Sequence, residues 1–277
     1  MKGSFLNRLA VCSWSLQPAN PQQLVQALQE IGLSKIQLAL DPIREHSTTW
    51  ASFEKDAERA GLECVSGMMG CAGEDYTTME SIRRTGGIVP DATWRQNWTN
   101  IQATAELAAR MGLRLVTFHA GFLPHDPKDP GYAKLLQRLI QVADCFNQKG
   151  IDLALETGQE TADALRAFLQ QLDRPGVGVN FDPANMILYD KGDPIQALRT
   201  LSPWLKQCHI KDARKTKTAG TWGDEVPAGT GEVPWKEFFK VLQEQNYGGY
   251  CSIEREAGQQ RVQDIRAARQ MVESLGV

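Results

Sequence analysis

Four side chains that could bind one metal ion lie at the ends of four strand-like segments. Glu156 lies in ALETG, Asp182 in VNFDPAN, His209 in QCHIKD and Glu254 in SIERE. Three crowded carboxylates repel one another unless a cation joins them. An oxygen-rich set with one imidazole suits Mn²⁺, with Mg²⁺, Co²⁺ and Zn²⁺ as open alternatives. The pattern therefore predicts a site for one divalent metal ion, with Mn²⁺ favoured.

Each of the four residues also has a structural interpretation. A lone Asp or Glu at a strand end can cap a helix or make a surface ion pair, and a lone His there can be a buried core residue. Four such residues on consecutive strands, at matched depth, favour the metal. Alternation agrees, because Ala154 shares a strand face with Glu156 and Ser252 shares one with Glu254.

These segments belong to a regular alternation of strands and helices. The predicted strands are Leu9–Trp14, Lys35–Leu40, Leu62–Met68, Leu113–His119, Ile151–Glu156, Gly176–Asp182, Leu205–Lys211 and Gly249–Arg255. The predicted helices are Pro21–Ile31, Glu45–Ala60, Asp91–Met111, Asp129–Lys149, Thr161–Leu172, Pro194–Leu201, Pro234–Gln245 and Gln259–Leu275. Eight units in one order favour a closed barrel over an open sheet. The sequence predicts an α/β protein, a single-domain (β/α)8 TIM barrel over residues 1–277.

Two connections are unusually long for a compact domain. Met69–Pro90 follows the third predicted strand, and Asp212–Val233 follows the seventh. Loops of this length are usually functional or disordered. Both follow a strand and precede a helix, so they lie on the face where barrel active sites are built.

The composition excludes several classes of protein. The net charge of −3 over 277 residues shows no basic excess for nucleic acid. No stretch reaches the roughly 20 apolar residues of a membrane span, and no secretory signal is visible. The six cysteines form no CxxC pair and suit a reducing compartment. We expect a cytoplasmic protein.

The longest distinctive stretches are LALETGQETA, VNFDPANM, HIKDA, GTGEVPW and YCSIERE. Over nearly the whole chain they resemble the xylose isomerase-like TIM barrel superfamily of sugar phosphate isomerases and epimerases, most closely the D-tagatose 3-epimerase branch. The resemblance implies that Glu156, Asp182, His209 and Glu254 hold one Mn²⁺-type ion. It also implies that the two glutamates move a proton, that the substrate is a small sugar, and that a homo-oligomer is possible.

The sequence departs from that branch at two positions. The epimerases carry a substrate-binding His three residues after the metal-binding Asp, where this chain has Asn185. They also carry an Arg shortly after the metal-binding His, a position that Arg214 or Lys215 could fill. Both departures concern the substrate-binding residues and leave the four metal ligands unchanged.

Other residues are candidates for substrate binding. His119, at the end of the fourth strand, could donate a hydrogen bond to substrate, and Trp14 could form an apolar wall against a sugar. Lys211 could stabilise a developing oxyanion or simply pair with a carboxylate. Glu256 is a competing metal ligand. A further pair, Arg83 and Arg84, could clamp a phosphate or be solvated.

The sequence predicts a metal-dependent isomerase or epimerase of a small sugar, acting by proton abstraction next to a carbonyl. An alternative is a lyase or dehydratase acting on a keto-sugar, keto-inositol or 3-keto-glycoside. A non-catalytic sugar-binding barrel also stays open. A three-zinc DNA-repair endonuclease is disfavoured because only four histidines are present.

Overall fold

Eight parallel strands close into a barrel in this computed structural model, which describes residues 4–124 and 128–277. The barrel strands are β1 (Leu9–Cys12), β2 (Lys35–Ala39), β3 (Glu63–Met68), β4 (Leu115–Phe118), β5 (Asp152–Glu156), β6 (Val177–Phe181), β7 (Leu205–Ile210) and β10 (Cys251–Ile253). Their order around the barrel is β1-β10-β7-β6-β5-β4-β3-β2. The prediction of a (β/α)8 barrel is confirmed, and each predicted strand contains one barrel strand.

Helices connect the strands and cover the outside of the barrel. They are α1 (Pro21–Ile31), α2 (Asp41–Glu45), α3 (Phe53–Ala60), α4 (Met79–Thr85), α5 (Asp91–Arg110), α6 (Pro130–Asn147), α7 (Ala162–Leu172), α8 (Pro183–Leu188), α9 (Pro194–Leu201), α10 (Trp235–Glu244) and α11 (Arg261–Ser274). Within residues 4–124 and 128–277, no helix is long and apolar enough to cross a membrane.

The structure corrects one predicted helix and shows short elements within the two long connections. The helix predicted over Glu45–Ala60 begins only at Phe53, as α3, and a turn separates it from α2, which ends at Glu45. The first long connection contains α4, which begins with a capping box between Thr78 and Ser81. The second contains a small antiparallel pair, β8 (Asp212–Arg214) with β9 (Asp224–Val226).

The two faces of the barrel strands differ sharply in chemistry. Outward positions such as Val11, Ile36 and Val179 are apolar and pack under the helices, each fully buried. Full burial of such a side chain contributes about 1.5–3 kcal/mol. Inward positions are largely polar, including Gln37 and Gln207, which are also buried. Buried amides need hydrogen-bond partners, so the interior can hold a connected polar network.

The carboxylate of Asp212 organises the second long loop. It accepts hydrogen bonds from the backbone N–H groups of Ala213, Gly229, Gly231 and Val233 and from Trp235 Nε1. A Cβ at Gly231 would lie 2.1 Å from Asp212 Oδ1, so only glycine permits this approach. The loop therefore has a fixed base directly beyond β7.

Candidate metal centre and active site

The structure brings the four predicted metal ligands to one point inside the carboxyl end of the barrel. Glu156 is the last residue of β5, Asp182 follows β6, His209 is near the end of β7, and Glu254 follows β10. Each offers one ligand atom, and these atoms all lie within 4.8 Å of one another. All four residues are buried, at 0–6% exposure.

The two carboxylate oxygens of Asp182 have different roles: one caps a helix and the other faces the metal site. It is the N-cap of α8, where Oδ1 accepts hydrogen bonds from the backbone N–H groups of Ala184 and Asn185 at 2.8 and 3.0 Å. Its Oδ2 is buried without a hydrogen bond and lies 3.5 Å from His209 Nδ1. The capping geometry thus aims a free oxygen at the centre of the site.

A chain of hydrogen bonds inside the barrel leads to the Nε2 atom of His209. Ser66 Oγ donates to Gln207 Oε1 at 2.6 Å, and Gln207 Nε2 donates to Gln37 Oε1 at 2.5 Å. Gln37 Nε2 in turn donates to Thr117 Oγ1 at 2.7 Å. Oε1 of Gln37 is therefore an acceptor, and it lies 2.9 Å from His209 Nε2. Asn180 Nδ2 lies 3.0 Å from the same nitrogen, so Nε2 faces one acceptor and one donor. A metal ion on Nδ1 would leave the ring proton on Nε2, where Gln37 Oε1 accepts it.

The buried nitrogen and oxygen atoms at the centre of the site are arranged as they would be around a cation. His209 Nδ1 lies 3.5 Å from Glu156 Oε1 and Asp182 Oδ2 and 3.4 Å from Glu254 Oε2. It has no hydrogen-bond partner among the described residues, and neither does that oxygen of Asp182. An imidazole lone pair facing three oxygens is repulsive unless a proton or a metal ion lies between them. Ligand atoms around one ion of this size stand about 3–4 Å apart, since each bond is about 2.1 Å.

The two glutamates are held by different polar neighbours. Glu156 Oε1 accepts a hydrogen bond from Asn185 Nδ2 at 3.0 Å and lies 3.5 Å from His119 Nε2. Glu254 Oε1 accepts one from Trp14 Nε1 at 2.7 Å. Both carboxylates are therefore fixed in orientation before any ligand binds.

Lys211 places a positive charge beside the carboxylates. Its Nζ lies 2.9 Å from Glu254 Oε2, 2.6 Å from Glu256 Oε2 and 3.9 Å from Asp182 Oδ2. Burial alone would lower the pKa of Lys211, but Glu254 and Glu256 outweigh it and hold that pKa well above its usual range. Burial would likewise raise the pKa of Glu254, which Lys211 and His209 instead hold well below its usual range. Lys211 is a stable cation, and Glu254 a stable carboxylate.

A cavity of about 450 Å³ opens above the four residues. The predicted substrate-binding residues Trp14, His119, Asn185 and Lys211 line it, as does Glu254. The structure does not bring Arg214 there. That residue lies on β8, is exposed, and donates to the carbonyl oxygen of Thr230.

Other residues at the site had not been predicted from the sequence. Gln37 contacts His209 from below, and its only sequence signal is a polar residue inside the apolar run KIQLAL. Tyr76 and Trp222 line the cavity from the two long connections. The length of those connections was the available signal. Glu256, considered as a ligand, pairs with Lys211 and lies outside the group of four.

Comparison with known proteins gives one family. A family model described as a xylose isomerase-like TIM barrel matches residues 25–275. The crystal structure of a xylose isomerase domain protein from Planctomyces limnophilus superposes with a TM-score of 0.84, at 31% identity, covering 91% of each chain.

Two curated relatives differ in reaction. D-psicose 3-epimerase from Agrobacterium fabrum is 23% identical over 83% of this chain and 77% of its own length. Inosose dehydratase from Clostridium perfringens is 25% identical over 44% of this chain and 46% of its own length. The match thus spans less than half of the dehydratase. The epimerase and dehydratase activities are those of the two relatives.

Proposed function

The chain belongs to the xylose isomerase-like TIM barrel family, and on that premise we propose that it is a divalent-metal-dependent isomerase or epimerase of a small sugar. The observation that carries the proposal is the convergence of four ligand atoms within 4.8 Å, with Asp182 Oδ2 and His209 Nδ1 left without partners. A neutral sugar with a carbonyl suits a cavity lined by aromatic and polar side chains.

Glu156, Asp182, His209 and Glu254 would hold the ion, and Mn²⁺ is favoured, with Mg²⁺, Co²⁺ and Zn²⁺ as alternatives. When bound, it supplies Lewis acidity toward a substrate carbonyl and an adjacent hydroxyl, worth several kcal/mol of transition-state stabilisation.

The two glutamates are the proton-transfer groups. One carboxylate removes the proton from the carbon next to the carbonyl. For epimerisation the other carboxylate returns a proton from the opposite face, and for isomerisation the proton returns to the adjacent carbon. Asn185 and Trp14, which donate to Glu156 and Glu254, keep both carboxylates in place through the transfer.

Lys211 and His119 stabilise charge on the substrate oxygens. Both line the cavity, and Lys211 is held as a cation by Glu254 and Glu256. A fixed positive charge that costs no reorganisation lowers the energy of a developing oxyanion. His119 lies beside Glu156 and can donate to a neighbouring substrate hydroxyl.

Exchange of substrate hydrogen with solvent tests the proposal. Mn²⁺-loaded enzyme would be incubated in D₂O with D-fructose, D-psicose, D-tagatose and glucosyl-fructoses, with deuterium located by NMR. The wild type should label the carbon next to the carbonyl of at least one sugar, and Glu156→Gln and Glu254→Gln should not. Glu237→Gln, an exposed site on α10, is the matched control. Manganese content measured in each variant separates lost chemistry from lost metal. Labelling retained in both variants would contradict the assignment.

The dehydratase relative favours a second candidate. The same proton abstraction expels a hydroxyl when the leaving group is on the β-carbon, and His119 or Lys211 could protonate it as it departs. Mass spectrometry separates the two reactions, because dehydration lowers the substrate mass by one water and epimerisation leaves it unchanged.

A further inference from the structure

We propose that the outer part of the cavity binds a second, uncharged ring attached to the reacting sugar, so that the substrate is a glycoside rather than a free or phosphorylated monosaccharide. This outer chamber is formed by Glu74, Tyr76, Tyr189, Trp222 and Glu225. The inference rests on the proposed function for the position of the reacting sugar.

The size of the cavity is the first argument. A hexose fills about 180 Å³, which is about the volume of six water molecules in the liquid at about 30 Å³ each. The cavity volume of about 450 Å³ therefore accommodates about two such rings. One ring next to Glu254 leaves the space between the two long connections for the other.

Aromatic side chains at the mouth of the cavity are the second argument. Tyr76 is 45% exposed, and among residues 4–124 and 128–277 no other large hydrophobic side chain is exposed. It contacts the His119 ring edge-on, with centroids 6.3 Å apart. Trp222, on the other long connection, packs edge-to-face on Tyr189 at 4.6 Å. Aromatic faces carry negative charge density and attract the C–H groups of a sugar ring.

The charge of the chamber is the third argument, and it disfavours phosphate. Glu74 and Glu225 contribute carboxyl groups to its wall. Glu225 is paired with Arg255 at 2.7 Å, whereas Glu74 accepts hydrogen bonds from the backbone N–H groups of Cys71 and Gly87. In the described part of the chain, Lys211 is the only lysine or arginine that lines the cavity, and two carboxylates already pair with it. Arg83, which could have clamped a phosphate, instead lies over the Phe122 ring at 5.3 Å. Carboxyl groups accept hydrogen bonds from sugar hydroxyls but repel a phosphate.

Binding of matched ketoses tests the inference. The probes are D-fructose, the five glucosyl-fructoses with glucose on O1, O3, O4, O5 or O6, and D-fructose 6-phosphate. Isothermal titration into Mn²⁺-loaded enzyme measures each affinity without requiring turnover. At least one glucosyl-fructose should bind about tenfold more tightly than D-fructose. D-fructose 6-phosphate should bind no more tightly than D-fructose.

Variants of the two aromatic residues test whether the gain in affinity arises in the outer chamber. Tyr76→Ala and Trp222→Ala should each remove most of the about tenfold gain while leaving D-fructose affinity within about twofold. Lys217→Ala, an exposed residue of the same long loop as Trp222, should leave every affinity unchanged.

Three results would overturn the proposal. No glucosyl-fructose binds more tightly than D-fructose, or D-fructose 6-phosphate binds most tightly of all the probes. The third is that both variants weaken the binding of D-fructose and of the glucosyl-fructose by the same factor. The proposed function fails separately. If a glucosyl-fructose binds selectively but no sugar incorporates deuterium, the proposed proton transfer is wrong, while the proposed binding of a second ring in the outer chamber stands.

Discussion

Replacing Gln37 should weaken metal binding although Gln37 is not a ligand. Its Oε1 lies 2.9 Å from His209 Nε2 and accepts the Nε2 proton in the tautomer that presents Nδ1 to the carboxylates. Groups that orient a metal-binding histidine typically change metal affinity about 10–100-fold. We therefore expect Gln37→Met to raise the Kd for Mn²⁺ by this factor, or about 1.4–2.7 kcal/mol.

The same substitution also affects folding. Gln37 hydrogen-bonds to Gln207 and Thr117 as well as His209, and a buried polar group left unpaired costs about 1–3 kcal/mol. Urea denaturation of the metal-free protein should show a loss of about 3 kcal/mol or more in the free energy of unfolding. Titration calorimetry of the folded protein measures the metal affinity independently.

Two further variants separate positioning from general damage. Ser66→Ala removes the 2.6 Å hydrogen bond to Gln207 without contacting His209, so it should cost about 1 kcal/mol of stability and leave Kd unchanged. Gln37→Glu keeps an acceptor for His209 Nε2 and should restore most of the affinity. The reasoning is refuted if Gln37→Met leaves Kd unchanged, or if Ser66→Ala raises it equally.

Two predictions concern stability elsewhere in the chain. Burial raises the pKa of Glu160 from 4.5 to about 7, so its contribution to stability is full below pH 4.5 and is lost as the pH rises through 7. Glu160→Gln should therefore match the wild type in free energy of unfolding near pH 4.5 and exceed it by about 3 kcal/mol at pH 8, as measured by urea denaturation; equal stability at both pH values would contradict this. Asp212→Asn should cost about 3 kcal/mol, because an amide nitrogen replaces an oxygen that accepts from backbone N–H groups. Limited proteolysis should then cut within residues 213–233, and unchanged resistance would contradict the role of Asp212.

The barrel and the four converging residues could be predicted from local patterns. Each strand is a short apolar run, and a side chain at its carboxyl end must lie at one rim of a parallel barrel. Helix capping was the structural interpretation of an Asp at a strand end, and Asp182 is indeed the N-cap of α8. Its two oxygens perform the two roles, so the structural and metal interpretations of this residue are compatible.

The supporting residues depend on contacts that sequence spacing does not encode. Gln37 reaches His209 across the inside of the barrel from β2, which is distant in the chain. Trp14 was predicted as an apolar wall, but the short 3₁₀ turn after β1 carries its indole N–H to Glu254. Arg214, with Lys215 as the alternative, was a candidate because the epimerases carry an Arg shortly after the metal-binding His, whereas the β8–β9 pairing leaves Arg214 exposed.

Anomalous diffraction at the manganese edge, from crystals grown with Mn²⁺, is the most direct measurement of the metal site. We predict one strong peak per chain, within bonding distance of Glu156, Asp182 Oδ2, His209 Nδ1 and Glu254, and its loss in Asp182→Ala. A wild-type map with no peak among these atoms, or with manganese bound only elsewhere, would contradict the account.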